Sequence, residues 1–221
     1  MRIQLFTCKN EQVVPFNYQQ KLIGTIHKWL GNNDIHDKIS LYSYSWLQNG
    51  EMTKGGFMFH NGAVWMISFY EDSFIKQLVK SILSDPDMFC GLSVKDIQII
   101  EENICDSVHR TFFLASPILI KRRMEDNRIK FYSFNDVESG TFLVETLKHK
   151  MSEAGIPDDD TLKISFDISY VGRKVKKVKI HEIDNIANMC PVIIDGRADV
   201  LEFARTVGLG NSTGSGFGCI Y

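Results

Sequence analysis

Two successive patterns of strand, helix, strand, strand, helix and strand run through this sequence of 221 residues. Strands are predicted where apolar residues alternate with polar ones, and helices where they recur every three or four residues. Because this order of elements builds a ferredoxin-like unit, the sequence predicts an α+β fold with two tandem ferredoxin-like (RRM-like, βαββαβ) domains. We expect an N-terminal domain at residues 1–108 and a C-terminal domain at residues 109–221, each of ordinary domain length.

The first half supplies the elements of one such unit. Alternating residues predict a strand at 2–7, and Asn17 can cap a helix that ends at Gly31. The apolar side chains of that helix share one face, at Tyr18, Leu22, Ile26, Trp29 and Leu30. The elements expected after it are strands at 41–47, 57–60 and 63–70, a helix from about Ser73 to Asp85, and a strand at 94–100.

The second half follows the same order with additions, although no sequence repeat relates it to the first. A strand at 111–120 contains Pro117, which indicates an edge or a bulge. A long helix is predicted at about 137–154 and ends at Gly155. The elements expected after it are strands at 162–170, 174–180 and 192–194, a helix at 198–207, a glycine-rich loop and a closing strand at 217–221.

Composition argues against several classes of protein. No apolar run reaches the roughly 18 residues of a membrane-spanning helix, and the first residues do not resemble a signal peptide. Five scattered cysteines without a C-x-x-C pair argue against a disulfide framework or structural zinc, and favour a reducing cytoplasm. No histidine-based metal motif is present, so we expect no metal and no cofactor.

Positive charge is scarce overall and concentrated in one segment. The formal net charge is −2, which argues against a broadly basic nucleic-acid surface. Residues 171–180 nevertheless hold five basic residues and no acidic one. The pattern is typical of a solvated edge strand, and also of a track for a phosphate backbone, to which Lys121, Arg122 and Arg123 could add.

The glycine-rich loop spans residues 208–218, five of which are glycine. It is not a dinucleotide loop, because Thr213 stands where G-x-G-x-x-G requires its third glycine. It also runs from a helix into a strand, whereas phosphate loops lead into a helix N-terminus. Two interpretations remain: a flexible turn, or a backbone whose unobstructed N–H groups contact the phosphates of a polymer.

The loop and several segments in the same order together resemble the CRISPR-associated repeat-processing endoribonucleases (the Cas6 family of the repeat-associated RNA-binding superfamily). The further segments are Val13–Tyr18, His36 with Asp37 ahead of Leu41–Ser45, Ser116–Ile118, and Gly196 before the last helix. The resemblance covers essentially the whole chain. One departure is that the five residues 211–215 lack the Lys or Arg that the family usually places there.

This resemblance implies a metal-independent endoribonuclease that cuts CRISPR precursor RNA within repeats to make guide RNAs. Attack by a ribose 2′-hydroxyl would leave a 2′,3′-cyclic phosphate and a 5′-hydroxyl. The implied partners are repeat RNA, as precursor and as processed guide, with other CRISPR interference-complex subunits or a second copy of the chain as further candidates. The alternatives are a non-catalytic RNA-binding subunit of such a complex and a ferredoxin-like domain unrelated to RNA.

The same resemblance suggests roles for individual residues. His36 matches the family's catalytic histidine, although a histidine in this polar connection can also be incidental; imidazole titrates near neutral pH and suits acid–base work. His27 matches a helix position where relatives carry Tyr or His, but core-edge packing is its plain interpretation. Lys38 is the cation nearest to His36 and would stabilise charge on the phosphate. The expected RNA-binding residues are Arg173, Lys174, Lys176 and Lys177 with Gly208, Gly210, Gly216 and Gly218.

Overall fold

Four α-helices and fifteen β-strands occur in the residues that the computed structural model describes, which are 1–32, 39–101, 108–180 and 182–221. None of the helices in these ranges is both long and apolar enough to cross a membrane. The elements of the first half are β1 (Arg2–Thr7), β2 (Val14–Pro15), α1 (Gln19–Leu30), β3 (Tyr42–Tyr44), β4 (Glu51–Thr53), β5 (Gly56–Met58), β6 (Val64–Phe69), α2 (Asp72–Ser84) and β7 (Val94–Ile100).

The first half is a ferredoxin-like unit, as predicted. Its main sheet is antiparallel with the order β3-β6-β1-β7. The first strand, β1, is therefore central, and the last strand, β7, lies beside it at one edge. Apolar side chains of β1 and β6 share one face and form a single core with α1 and α2. The predicted strand at 57–60 is β5, which pairs with β2 and β4 in a separate small sheet. The predicted cap is wrong by one position: Tyr18, not Asn17, stands at the N-cap of α1.

The elements of the second half are β8 (His109–Phe112), β9 (Ile118–Leu119), β10 (Lys121–Arg123), β11 (Ile129–Phe131), α3 (Ser139–Glu153), β12 (Lys163–Phe166), β13 (Lys174–Ile180), β14 (Ile183–Met189), β15 (Val192–Asp195) and α4 (Ala198–Val207). Its central sheet has the order β12-β15-β8. The chain end lies beside β8, where Phe113 and Tyr221 exchange two backbone hydrogen bonds of 3.0 Å. Together these positions give the ferredoxin-like order a second time.

The predicted closing strand at 217–221 is reduced to one bridge between Leu114 and Ile220. Gly216 and Gly218 have φ values of +83° and +69°, and a left-handed backbone cannot continue an extended strand. The N–H of Cys219 then donates to the Ser116 hydroxyl at 2.9 Å and not to a neighbouring strand. The tail therefore begins as a tight loop and becomes extended only near its end.

Strand β14 is an element that the sequence pattern did not predict. It pairs with β13 on one side and with β9 on the other, and so forms a second sheet, β13-β14-β9. Asn185 and Asn188 interrupt its apolar pattern, and asparagine is depleted in strands. Asn188 is nevertheless buried, where its amide donates to the Ile118 and Tyr132 carbonyls at 3.3 and 3.0 Å.

The two halves meet along the edge strand β3 and the face of the first sheet that is opposite to α1 and α2. Helix α4 packs against β3 and β6. Buried Arg2 donates to the carbonyls of Arg205 and Ile220 at 2.5 and 2.9 Å, and the Ser43 hydroxyl donates to Thr206 O at 2.9 Å. Because residues 102–107 lie outside the described residues, the boundary we place between residues 108 and 109 stays a prediction.

Candidate functional site

The glycine-rich loop of the second half rests on the edge strand of the first. Tyr42 and Tyr44 donate their hydroxyl hydrogens to the Gly214 carbonyl at 3.4 and 3.3 Å, and Trp46 donates its indole N–H to Gly216 O at 2.8 Å. These three aromatic residues alternate along the chain, so their side chains share one face of the strand. Burial raises the pKa of Tyr42 to about 12 and holds the pKa of Tyr44 well above its usual value, so both phenols remain donors at neutral pH.

The four glycines that we expected to contact RNA are buried and pack the loop against itself. Gly208, Gly210, Gly216 and Gly218 all have positive φ. At three of them the N–H is already used, by Ala204 O, Thr213 O and Pro117 O respectively for Gly208, Gly216 and Gly218. The N–H groups of Gly208, Gly216 and Gly218 are therefore already used, to end α4, to close the turn and to bond Pro117 respectively, and contact of the four glycines with RNA stays a prediction.

The partly accessible residues of the loop lie in its middle, at Asn211, Ser212, Gly214 and Ser215, while Thr213 between them is buried. Ser212 is left-handed, and a short 3-10 turn follows at Thr213–Ser215. Among the described residues, no acceptor lies within hydrogen-bonding range of the backbone N–H groups of Ser212, Thr213 and Gly214. Successive N–H groups in such a left-handed-to-helical turn form a concavity that can hold an anion.

Lys150 is a buried residue that donates hydrogen bonds to the start and the middle of this loop, and we did not identify it from the sequence. It lies on α3, is 4% exposed, and its ammonium lies 3.1 Å from each of three acceptors: Val207 O, Gly208 O and Thr213 Oγ1. Burial lowers its pKa to about 7. One signal was available, because Lys150 interrupts the apolar stripe of α3 between Leu147 and Met151.

Replacing Lys150 with methionine should remove a rise in stability between pH 7 and pH 8.5. The pKa of Lys150 is about 7 in the folded chain and about 10.4 when unfolded, so the unfolded chain binds more protons across this interval. The free energy of unfolding of the wild type should therefore increase by about 1.5 kcal/mol more than that of the variant. Urea titrations at the two pH values measure it, with Lys148→Met as the control, because the bond to Asp158 raises the pKa of the half-buried Lys148 and this lysine therefore stays charged across the interval. An equal rise in Lys150→Met would contradict the expectation.

The basic strand β13 lies at the edge of its sheet, as expected, but its cations do not share one face. Side chains alternate along a strand, so Lys174 and Lys176 lie on one side of β13 and Lys177 lies on the other. The Lys176 ammonium lies 4.4 Å from the ring centroid of Trp46, and burial lowers the pKa of Lys176. Lys177 instead forms an ion pair with Asp184 at 2.7 Å. The structure thus brings Lys176 to the glycine-rich loop through Trp46, and places Lys177 on the far side.

The other predicted cations are divided in the same way. Arg173 lies in the turn before β13, where its guanidinium donates to the Tyr170 carbonyl at 3.1 Å. Lys121 is tied to the loop through its backbone, since its N–H donates to the Asn211 side-chain oxygen at 2.8 Å. Arg122 turns towards α3 and pairs with Glu145 at 2.8 Å. Only part of the predicted basic track therefore borders the loop.

Of the two histidines predicted to be catalytic, His27 lies within the described residues. His27 is half-buried on α1, one helical turn after Ile23, which packs beside Leu119 and Phe217 under the loop. Helix α1 also contacts the turn at Thr213–Ser215, so the His27 face of the helix is directed towards the loop. His36 and Lys38 lie outside the described residues. The chain after them reaches the loop at Ser40, whose carbonyl accepts from the Thr213 hydroxyl at 3.4 Å.

A metal centre is not formed by the side chains that the structure describes. Within those ranges, no three His, Cys, Asp or Glu residues converge in a way that could hold an ion. The described cysteines, which are Cys8, Cys90, Cys190 and Cys219, are free thiols.

Two ferredoxin-like units, with the glycine-rich loop of the second seated on the edge strand of the first, place the chain in the class of tandem ferredoxin-like proteins. The family model for "CRISPR associated protein Cas6, C-terminal" matches residues 100–221, and the chain therefore belongs to the Cas6 family. Among curated proteins, none matches the sequence.

Solved structures resemble the fold over its whole length. A CRISPR associated protein Cas6 superposes with a TM-score of 0.83 at 21% identity, covering 100% of this chain and 98% of the other. A Cas6-related protein from Pyrococcus furiosus superposes with a TM-score of 0.86 at 19% identity, covering 100% and 97%. A RAMP protein that binds different RNA substrates gives 0.81 at 19% identity, covering 100% and 98%. At these identities the likeness concerns the fold, which agrees with the predicted pair of ferredoxin-like domains.

Proposed function

We propose that this protein is an endoribonuclease that cuts CRISPR precursor RNA within its repeats to release guide RNAs. The observation that carries the proposal is the glycine-rich loop of a Cas6 C-terminal region seated against α1 and β3 of the first half. That arrangement joins the part of the chain bearing the candidate histidines to the part suited to hold a phosphate backbone. Processing inside the cytoplasm, with repeat RNA as substrate and guide RNA as product, follows from this assignment.

The proposed reaction is attack of a ribose 2′-hydroxyl on the adjacent phosphate, which leaves a 2′,3′-cyclic phosphate and a 5′-hydroxyl. His36 acts as general acid or base, and His27 is its partner from the face of α1 directed towards the loop. Lys38 stabilises the negative charge that develops on the phosphate. Backbone N–H groups of Ser212 and Gly214, which are both partly exposed, are suited to hold phosphate oxygens and keep the attacking and leaving groups in line.

A second function is favoured by one feature of the loop. Residues 211–215 contain no Lys or Arg, so the loop offers only uncharged donors to a phosphate. A RAMP protein of similar fold binds different RNA substrates. The alternative is therefore a non-catalytic subunit that holds guide RNA in a CRISPR interference complex.

Incubation of the purified protein with the repeat RNA of its own genome, in EDTA, tests the proposal. We expect two products, one ending in a cyclic phosphate that acid opens and one starting with a 5′-hydroxyl that polynucleotide kinase can label. Tight binding without scission would establish the alternative function. Absence of binding at low salt would overturn both.

Neutralising Lys174 and Lys176 together should weaken RNA binding and flatten its dependence on salt. Each phosphate contact releases counterions, and a single-stranded RNA contact contributes about 0.7 to the slope of log K against log salt. The double variant Lys174→Gln/Lys176→Gln should thus lose a slope of about 1.4 in binding titrations between 50 and 300 mM salt. Lys76→Gln/Lys80→Gln removes the same charge from exposed positions of α2 and serves as the control. Equal slopes for the two double variants would argue against this RNA track.

A further inference from the structure

Three exposed aromatic side chains lie together at the N-terminal end of the basic strand β13. Phe113, Tyr170 and Tyr221 are 47%, 41% and 47% exposed. The Phe113 ring centroid is 6.1 Å from that of Tyr170 and 6.3 Å from that of Tyr221. We call these three residues the aromatic cluster. Grouped aromatic side chains at a surface are a feature of binding sites and not of an ordinary solvated face.

The backbone holds the aromatic cluster in place without a ligand. Phe113 follows the buried Phe112 of β8, so its side chain projects from the opposite face of the sheet. Its backbone exchanges two hydrogen bonds with Tyr221, which fixes those two residues side by side. The Tyr170 ring lies over Gly172, where an added Cβ would come within 2.8 Å of the ring. The cluster is therefore preorganised, which lowers the entropy cost of binding.

A small cavity opens between these rings and the basic strand. It has a volume of about 230 Å³ and is lined by the aromatic cluster, Lys174 and Gly172, among others. Typical small-molecule sites measure about 300–1,000 Å³, so this cavity suits a single planar ring. Lys174 lies in the wall of the cavity, and Arg173 lies beside it in the chain, so two cationic side chains are close to the rings.

The cavity continues the surface that leads to the glycine-rich loop. Lys174 and Lys176 lie on the same face of β13, and Lys176 covers Trp46, whose indole is bonded to the loop. We propose that the aromatic cluster is a stacking site for one unpaired nucleotide of the bound RNA, with Lys174 contacting the adjoining phosphate. The proposal rests on the RNA-binding function proposed above and extends it to a second site on the C-terminal half. Aromatic rings with nearby cations are how proteins hold single-stranded nucleotides with little regard to sequence.

Repeat RNA that carries 2-aminopurine at one unpaired position at a time tests the stacking site. Stacking quenches this base, so one position or two adjacent positions should lose fluorescence on binding the wild type. Phe113→Ala and Phe113→Leu should each restore that fluorescence and weaken RNA binding by about 5- to 150-fold. Leucine keeps the apolar volume and protects the fold, while it removes the aromatic face. Tyr221→Phe should bind like the wild type, whereas Tyr221→Leu should not.

Phe16→Ala is the matched control, because Phe16 is 49% exposed and makes one edge-on ring contact, but lies in the first half of the chain. Wild-type protein that does not bind the RNA would refute the RNA-binding function itself. Wild-type binding with unchanged affinity and quenching in thermally stable Phe113→Leu would overturn the stacking site alone. Unchanged RNA binding with an altered sedimentation coefficient would likewise overturn it and assign the cluster to a contact between protein chains.

Discussion

Alanine in place of His36 should slow cleavage of repeat RNA by about 10²–10⁴-fold, the usual contribution of a positioned acid or base. The 2′-hydroxyl is a poor nucleophile until a base removes its proton, and the 5′-oxygen leaves slowly unless an acid protonates it. Binding affinity for the RNA should remain within about threefold, because catalysis and backbone contact rest on different groups. Single-turnover rates at saturating protein, measured in EDTA, separate the two quantities.

His60→Ala provides the control for this experiment. His60 has a largely exposed side chain and lies 3.8 Å from Glu51, in the small-sheet region of the first half. We expect wild-type rates for that variant. Full-rate cleavage by His36→Ala would remove His36 from the mechanism, and the same measurement on His27→Ala and Lys38→Ala would show whether another group performs the proton transfer.

Alanine in place of Gly218 should destabilise the protein by at least about 2–4 kcal/mol and reduce its affinity for RNA. A Cβ at this position would lie 1.9 Å from the Leu209 carbonyl oxygen, and the N–H of Leu209 donates to the Gly218 carbonyl at 2.9 Å, which holds the two backbones close together. The residue also has a φ of +69°, which side chains disfavour. The loop must open to relieve both problems, and its contacts with Tyr44 and Trp46 would be lost with it.

Gly155→Ala separates the two causes. Gly155 has a similar φ of +71°, but nothing lies within 4 Å of an added Cβ. Its variant should lose only the conformational term of about 1–2 kcal/mol and keep its affinity for RNA. Chemical unfolding and RNA titration of both variants provide the comparison. A Gly218→Ala protein as stable as Gly155→Ala would mean that the loop adapts without cost.

Much of the fold could be predicted from local patterns in the chain. The 3.6-residue spacing of apolar side chains located α1, α2, α3 and α4 to within about two residues, and alternation located β1, β7 and β13. Local patterns failed where a residue serves a distant partner. Asn188 weakens the strand pattern of β14 because its side chain bonds to β9 and to the chain near Tyr132. Gly218 interrupts the closing strand because it packs on Leu209.

The candidate site was predictable in part. The motif at 208–218 and the basic segment at 171–180 were visible in the sequence, and the structure places the motif and Lys176 of the segment at the junction of the two halves. The assignments of His36 and Lys38 stay predictions, since both lie outside the described residues. Lys150 was overlooked because only its acceptors, which come from α4 and the loop more than fifty residues away, distinguish it from a surface lysine.

The sequence by itself determined the order of the elements, the family resemblance and the position of the glycine-rich loop, because these depend on neighbours within a few residues. The tertiary structure alone decided which face each cation occupies, which glycines are buried, and that Phe113, Tyr170 and Tyr221 form one cluster. These features depend on contacts between distant segments, such as Phe113 with Tyr221, which are 108 residues apart, and Trp46 with Gly216, which are 170 residues apart. No local pattern encodes such contacts, because burial and electrostatic pairing arise only when distant segments pack together.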